Sequence, residues 1–152
     1  MPTTLNLDQL RSLVGHEAGA SEWHTIDQTM IDAFAQVSGD HQWIHTDSER
    51  AKTESRFGRT IAHGFLTLSL LSRLSQDSIQ VTGDFGMRIN YGINKLRFPA
   101  PVPEGSRIRA RFAVQSVEDI EGGYQVVWLV TVEVQGTAKP ALVAEWVIRY
   151  YR

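Results

Sequence analysis

The stretch SGDHQWIHTD, residues 38–47, places an aspartate, two histidines and a tryptophan directly after a glycine. Residues of these types fit a metal site, an acid–base pair, or a polar loop with no reaction to perform. Asp40 and His45 are the best acid–base candidates, because residues five apart in a loop can converge and hold a water molecule between them. On spacing alone, a turn-capping aspartate and a hydrogen-bonded histidine are the commoner explanation. The stretch by itself leaves these alternatives open.

The metal alternative depends on His41 and His45, which stand four residues apart, as two ligands on one helical face would. Gly39, however, is predicted to end the preceding helix, and no glutamate follows His41 as the zinc-protease motif requires. The chain has no cysteine, so a third ligand would have to be His63 or a carboxylate. We therefore predict no metal ion here. We expect Ser38 and Gly39 to shape the turn and His41 to have no role.

A second candidate lies in IAHGF, residues 61–65, where Gly64 leaves the backbone open to close approach. The N–H groups at the start of a helix can stabilise a carbonyl oxygen that gains negative charge. The commoner explanation is that Gly64 only permits close packing and that His63 is a cap or core residue. Because one motif suits a held water and the other an oxyanion, their occurrence in one chain favours a catalytic site.

The candidate residues lie in the first half of the chain, where apolar residues recur with the period of a helix. HGFLTLSLLSRLSQ, residues 63–76, is apolar almost all round, which is typical of a buried helix at the centre of a protein. EWHTI, residues 22–26, is predicted to be a brief strand. Three further helices are predicted: Leu7 to Val14, Asp27 as N-cap to Gly39, and SERAKTE capped by Asp47 or Ser48.

The second half of the chain is rich in β-branched and aromatic residues. Four strand-like runs, Phe85–Phe98, Arg107–Val117, Tyr124–Val134 and Ala141–Tyr151, are separated by segments of turn composition. Consecutive strands with short breaks favour an antiparallel sheet with the helices on one side. The predicted fold class is α+β: a single hot-dog domain, residues 1–152, with a curved antiparallel sheet wrapped around a long central helix.

Composition narrows the classes of partner. The 152 residues suffice for one hydrophobic core, and 42% hydrophobic with 21% charged residues is ordinary for a globular protein. The net charge of -2 gives no footprint for nucleic acid or an anionic membrane. No cysteine, no signal peptide and no apolar run long enough for a membrane helix occur in the sequence. We expect a cytoplasmic protein with neither nucleic-acid nor membrane partners.

The stretch FAQVSGDHQWIHTDSERAKTESRFGRTIAHGFLTLSLL, residues 34–71, resembles the hydratase motif of the MaoC-like (R)-specific enoyl-CoA hydratases. That motif reads approximately Phe-Ala-x-x-Ser/Thr-Gly-Asp-x-Asn-x-x-His-x-Asp, followed by Phe-Gly-x-x-Ile-Ala-His-Gly. YGINKLRFPAPVPEGSRIRA, residues 91–110, is similar to the family's next strand and turn, and the resemblance is strongest with the NodN-like branch. Gln42 stands where many relatives carry Asn, and Trp43 where many carry Pro. We expect the amide of Gln42 to preserve the loop, and Trp43 to alter the pocket mouth and hence substrate preference.

The resemblance implies the reversible hydration of a trans-2-enoyl-CoA to an (R)-3-hydroxyacyl-CoA, without metal and with no cofactor beyond the coenzyme A of the substrate. By match to the motif, Asp40 and His45 bind the water that attacks C3, and the Gly64 N–H stabilises the enolate-like charge. We favour Asp40 as general base and His45 as the group that orients the water. Supporting residues would be Gln42, a structural His63, and Ser72, which is equally readable as a packing residue. Lys95 and Arg97, with Arg107 and Arg109, are candidates for contact with the phosphates of coenzyme A.

The resemblance also implies a homodimer, since hot-dog domains of this length usually pair, with acyl tunnels at or near the interface. Trp23, Met87, Trp128 and Trp146 could line such an interface or tunnel, although aromatic residues at these positions are more often core. Two alternatives are a hot-dog thioesterase, whose water attacks the thioester carbonyl, and a non-catalytic acyl-CoA-binding module, which would predict a broken Asp–His pair. The residues do not set the acyl chain length, nor do they distinguish coenzyme A from an acyl-carrier protein.

Overall fold

The computed structural model describes residues 1–152 as an antiparallel sheet and a set of short helices. In chain order the elements are β1 (Thr3–Leu5), α1 (Leu7–Ser12), β2 (Glu17–Ala20), β3 (His24–Thr25), α2 (Gln28–Ser38), α3 (Trp43–Thr46), α4 (Ser48–Glu54), α5 (Gly64–Ser69), α6 (Leu71–Ser78), β4 (Ile79–Val81), β5 (Met87–Arg97), β6 (Arg107–Ile120), β7 (Gly123–Val134) and β8 (Leu142–Tyr151).

The main sheet has the strand order β2-β6-β7-β8-β5, with β3 also paired to β6, and all its pairs are antiparallel. The strands β6, β7 and β8 follow one another as a meander, as their short turn segments predict. Strand β5 pairs with β8 and ends the sheet, so its other edge is unpaired. The short strands β1 and β4 form a separate parallel pair that the sequence did not predict. The predicted α+β hot-dog architecture is confirmed.

Alternation along the strands decides which side of the sheet receives the helices. On β6, residues 108, 110, 112 and 114 are buried while their neighbours are partly exposed. These side chains join Leu71 and Leu74 of α6 in one core cluster. The helices therefore lie on one face of the sheet, and the arginines of β6 lie on the other.

The central helix differs from the prediction in two ways. It is divided into α5 and α6 at Leu70, whose N–H is shared between the carbonyls of Leu66 and Thr67. The Ser69 hydroxyl also donates to the Leu66 carbonyl at 2.7 Å, and such competition for a main-chain acceptor bends helices. The helix is also not buried all round, because the sheet covers one side and leaves Phe65 64% exposed. None of the helices has both the length and the apolar character needed to cross a membrane.

Local signals place the ends of the helices that lead into the site. The Asp27 carboxylate accepts the Met30 N–H at the start of α2, and Asp47 accepts the Arg50 N–H at the start of α4. Helix α2 ends at Gly39 with φ of 77°, a left-handed conformation that glycine adopts without strain. These caps are confirmed as predicted. The single turn α3 was not predicted, because residues 43–46 were expected to belong to a loop.

Candidate active site

The turn after α2 and the single turn α3 present the two predicted acid–base residues. Asp40 follows the left-handed Gly39, and its carboxylate accepts the Gln42 N–H at 3.3 Å. The Asp40 N–H in turn donates to the Ser38 hydroxyl at 3.2 Å, so the predicted role of Ser38 and Gly39 in the turn is confirmed. The carboxylate is exposed, whereas His45, on α3, is 7% exposed. An accessible acid thus lies next to a buried imidazole.

The tautomer of His45 follows from its hydrogen bond. Its Nδ1 lies 2.7 Å from the main-chain carbonyl oxygen of Ile61, which can only accept, so Nδ1 carries the hydrogen. Burial lowers the pKa of His45 below its ordinary value, although the bond to Ile61 and the charge of Asp40 oppose the shift. The neutral ring therefore keeps a lone pair on Nε2, which can accept a hydrogen bond from water.

His63, the last residue before α5, joins the two parts of the site. Its Nε2–H donates to the main-chain carbonyl of Asp40 at 2.9 Å, and its ring stacks on His45 with 3.8 Å between centroids and 22° between planes. The ring of Phe34, on α2, also packs against the ring of His63, with 5.0 Å between the ring centroids. This arrangement supports the structural role predicted for His63.

Asp40, His45 and His63 each offer a ligand atom, and these atoms lie within 4.8 Å of one another. The Nδ1 of His63 is buried and has no hydrogen-bond partner. A metal ion, however, binds an imidazole nitrogen close to the plane of the ring, at about 2.0–2.1 Å. Two nearly parallel rings stacked face to face direct their lone pairs along separate planes, so they do not converge on one ion. The cluster suits a water molecule better than a metal.

Gln28, at the start of α2, is a positioning residue that sequence reasoning missed. Its amide nitrogen donates to the main-chain carbonyl of His45 at 2.8 Å, and its amide oxygen accepts the Thr60 hydroxyl. The side chain thereby ties α3 to the segment that precedes α5. No local sequence pattern predicts this role, because the two hydrogen-bond partners of Gln28 are 17 and 32 residues away along the chain.

Gly64 begins α5, and its N–H has no main-chain acceptor, as is usual in the first turn of a helix. A cavity of about 390 Å³ lies beside it and is also lined by His45, Thr67 and Phe98. A Cβ on Gly64 would lie 3.0 Å from ring atoms of Phe98, which is tighter than ordinary contact. Gly64, whose N–H has no main-chain acceptor, and the buried imidazole of His45 thus line one cavity, and a Cβ on Gly64 would crowd Phe98 there.

The exposed guanidinium-bearing residue Arg56 also lines this cavity, whereas Lys95 and Arg97 lie exposed on β5 and do not line it. Arg97 donates instead to the adjacent Leu96 carbonyl. The candidates for coenzyme A phosphates thus lie outside the cavity, and Arg56 is the better placed cation. Arg56 directly precedes the Phe-Gly of the motif, which is the signal that could have identified it.

Of the remaining predicted residues, Ser72 lies beside a cavity, whereas Gln42 and Trp43 do not have the roles expected of them. Ser72 is half-buried, accepts from the Asn90 amide at 3.5 Å, and lines a neighbouring cavity. The exposed Gln42 makes its contacts through the main chain, where its carbonyl accepts the His45 N–H, so its side-chain amide does not orient the loop. Trp43 does not line the cavity, and the Arg50 guanidinium lies over its ring, 4.1 Å from the ring centroid. The expectation that Trp43 shapes the pocket mouth is therefore wrong.

The residues predicted to line an interface or a tunnel lie in different parts of the fold. Trp128 and Trp146 are buried in the core and line a cavity beneath α6. Trp23 lies under the Arg109 guanidinium, 4.4 Å from its ring centroid, and has no part in that cavity. Met87 is exposed on β5, the strand at the edge of the sheet.

Comparison with known sequences gives one consistent result. The family model described as MaoC like domain matches residues 9–136. The 3-hydroxyacyl-thioester dehydratase Z of Mycobacterium tuberculosis (strain ATCC 25618 / H37Rv) is 50% identical over 151 residues, which cover 99% of each chain. Nodulation protein N of Rhizobium leguminosarum bv. viciae is 46% identical over 145 residues, which cover 94% of this chain and 89% of that protein.

Among solved structures, the unliganded R-hydratase PhaJ1 from Pseudomonas aeruginosa is similar to this chain with a TM-score of 0.72 and 27% identity. The similarity covers 91% of this chain and 82% of that one. The fold, and not only the motif, is therefore shared.

Proposed function

We propose that this chain, which belongs to the MaoC-like dehydratase family, catalyses the reversible addition of water to a trans-2-enoyl thioester to give an (R)-3-hydroxyacyl thioester. The observation that carries the proposal is the pairing of the exposed Asp40 carboxylate with the buried His45, whose Nε2 keeps a free lone pair. The 50% identity to a 3-hydroxyacyl-thioester dehydratase over nearly the whole chain supports this activity.

The pair suits a water that acts as a nucleophile. A water that donates one hydrogen to His45 Nε2 and the other to the Asp40 carboxylate has its oxygen lone pairs free for C3. We assign proton removal to Asp40 and orientation to His45, because the neutral imidazole is fixed by the Ile61 carbonyl while the carboxylate is accessible. A water held in this way approaches one face of the double bond, which gives a single configuration at C3.

The electron flow ends at the thioester oxygen. As the water oxygen bonds to C3, the C2–C3 π electrons move to C1–C2 and the carbonyl π electrons move to oxygen. The N–H of Gly64 is available to stabilise that negative charge, and a donor of this kind contributes roughly 3–4 kcal/mol in oxyanion sites. The protonated Asp40 then returns the proton to C2, and the carbonyl re-forms. No step uses a metal or a separate cofactor.

We also propose that two copies pair, as the family resemblance led us to expect, and that they do so through β5. Its free edge offers unpaired main-chain groups, which proteins normally protect. Three apolar side chains lie along it, with Met87 52%, Ile89 38% and Tyr91 57% exposed. A second copy would cover these side chains and the adjacent face of the central helix, where Phe65 is exposed.

The experiment that tests the activity mixes the purified protein with trans-2-butenoyl-CoA and follows the loss of enoyl-thioester absorbance. The expected product is 3-hydroxybutyryl-CoA, and chiral chromatography should return the (R) enantiomer. Release of free thiol with the double bond retained would identify a thioesterase instead. Binding of the ester without turnover at any chain length would identify a non-catalytic module.

A further inference from the structure

Three separate cavities lie beside the central helix, at increasing distance along the chain from Gly64. The first cavity lies at Gly64, the second is lined by Ser72 and Asn90, and the third by Ser75 and Arg88. The second and third share Trp146 as a wall. The helical rise from residue 64 to residue 75 is about 16 Å, which an extended acyl chain of about twelve carbons would span.

The third cavity, of about 250 Å³, has an apolar interior with one cation at its edge. Phe112, Trp128 and Trp146 supply aromatic walls from the inner face of the sheet. The Arg88 guanidinium lies 5.4 Å from the ring centroid of Trp146, and one of its Nη atoms donates to the Ser75 hydroxyl at 3.3 Å. The walls suit methylene groups, whereas the guanidinium suits an anion or a strong acceptor.

Arg88, unlike Arg109 and Arg111, has no acidic partner, and its side chain lines the third cavity. Arg109 and Arg111 both bind the carboxylate of Glu133, at 2.6 and 2.7 Å. No carboxylate lies within ion-pair distance of Arg88, and the side chains that it contacts, Ser75, Tyr150 and the ring of Trp146, are neutral. Burial raises the pKa of the neighbouring Tyr150, and the positive charge of Arg88 opposes that shift. The guanidinium therefore keeps its capacity for a planar, two-point contact with a carboxylate.

We propose that the preferred substrate is an enoyl thioester whose acyl chain ends in a carboxylate, and that Arg88 binds this carboxylate at the third cavity. The proposal rests on the proposed hydration at the other end. The apolar walls take the methylene chain, and the thioester lies at Gly64. A methyl-terminated chain of equal length would fill the same walls but leave the guanidinium without an anion.

The test compares trans-2-dodecenoyl-CoA with its counterpart that carries a carboxylate at C12. The wild-type protein should favour the carboxylate substrate by roughly 10- to 100-fold in kcat/KM, the range of one charge-assisted contact. In Arg88→Met this ratio should fall to about one or below, and Arg88→Lys should retain part of it. Since the readout is a ratio of two substrates in one variant, a general loss of folding would not change it.

Arg73→Met is the matched control, because Arg73 is exposed on α6 and does not line the third cavity. It should leave the ratio at the wild-type value. Equal use of both substrates by wild-type protein that hydrates trans-2-butenoyl-CoA would overturn this inference and leave the proposed function standing. Absence of hydration with all three esters would overturn the proposed function and the inference with it. Dissociation of a dimer in Arg88→Met, with the ratio unchanged, would assign Arg88 to the contact between copies and would also overturn it.

Discussion

The ring of His63 lies against the ring of His45, 3.8 Å between centroids, while its Nε2–H binds the main chain of Asp40. One side chain thus contacts both members of the acid–base pair without adding a third reacting group. The pair is positioned from behind by a rigid aromatic surface, and its two polar ends are left for water. This geometry makes the separate contributions of Asp40 and His45 accessible to mutation.

Replacing either member of the pair should abolish most of the activity. Asp40→Asn removes the base and His45→Gln removes the Nε2 acceptor, and each is expected to lower kcat by about 10²- to 10⁴-fold. Hydration of trans-2-butenoyl-CoA, followed by absorbance, measures the effect. Circular dichroism and urea unfolding show whether each variant is folded. Wild-type rates in both folded variants would exclude the assignment.

The dependence of rate on pH should report His45. Protonation of Nε2 converts it from acceptor to donor, so hydration should decline as the pH falls through the pKa of His45 in the folded protein. Because burial lowers that pKa from 6.5, the decline should be centred below pH 6.5. A profile of kcat/KM between pH 4.5 and pH 8, within the range that urea unfolding shows to be folded, checks this. A midpoint above 6.5 would contradict the neutral, buried imidazole.

The hydrogen bonds of Gln28 should matter to both folding and catalysis. Gln28→Leu leaves the His45 carbonyl and the Thr60 hydroxyl without their shared partner, which should destabilise the fold by about 1–3 kcal/mol. The displacement of α3 should also lower kcat. Gln36→Leu, on the exposed side of α2, is the matched control and should have little effect on either quantity. Equal results for the two variants in urea unfolding and in the hydration assay would remove the positioning role.

The space at Gly64 should be limited by Phe98. Gly64→Ala puts a methyl group 3.0 Å from the Phe98 ring, so overpacking should destabilise the protein by about 1–3 kcal/mol and narrow the cavity beside His45. Gly64→Ala combined with Phe98→Leu should recover part of the lost stability and rate. The double-mutant cycle is measured by urea unfolding and by the hydration assay. If the effects of the two substitutions were strictly additive, the methyl group at residue 64 would not act through its contact with Phe98.

The pairing of copies through β5 can be tested with charge. Met87→Glu combined with Ile89→Glu puts two carboxylates on the apolar edge and should shift the protein from dimer to monomer in sedimentation experiments. Val37→Glu, at an 86% exposed position on α2, is the control and should remain a dimer. A wild-type protein that sediments as a monomer would refute the pairing.

The parts of the fold set by local rules could be predicted from the sequence. Asp27 caps α2, Gly39 ends it in the left-handed conformation, and the alternating runs of the second half form β5 to β8. The division of the central helix at Leu70 could not be predicted, because the sequence does not show to which carbonyl the Ser69 hydroxyl donates. The short strands β1 and β4 were missed because their partners are distant in sequence.

The same distinction holds for the candidate site. The motif spacing identified Asp40, His45 and Gly64, and the structure brings the first two together and sets the third beside the same cavity as His45. Gln28 and Arg88 were missed because their importance comes from residues that are remote along the chain. Lys95 and Arg97 were chosen for their charge alone, and they are exposed on β5 and do not line the cavity.

The strand order has a consequence for the newly synthesised chain. Strand β5 pairs with β8 from Met87–Tyr151 to Arg97–Val143, so it must wait for the last strand to be made. The meander of β6, β7 and β8 closes through short turns and can form first. Until β8 emerges from the ribosome, β5 lacks the strand with which it pairs. Deletion of the final ten residues would therefore leave β5 without its partner strand. We expect chaperones to bind the truncated chain, which should have no hydratase activity.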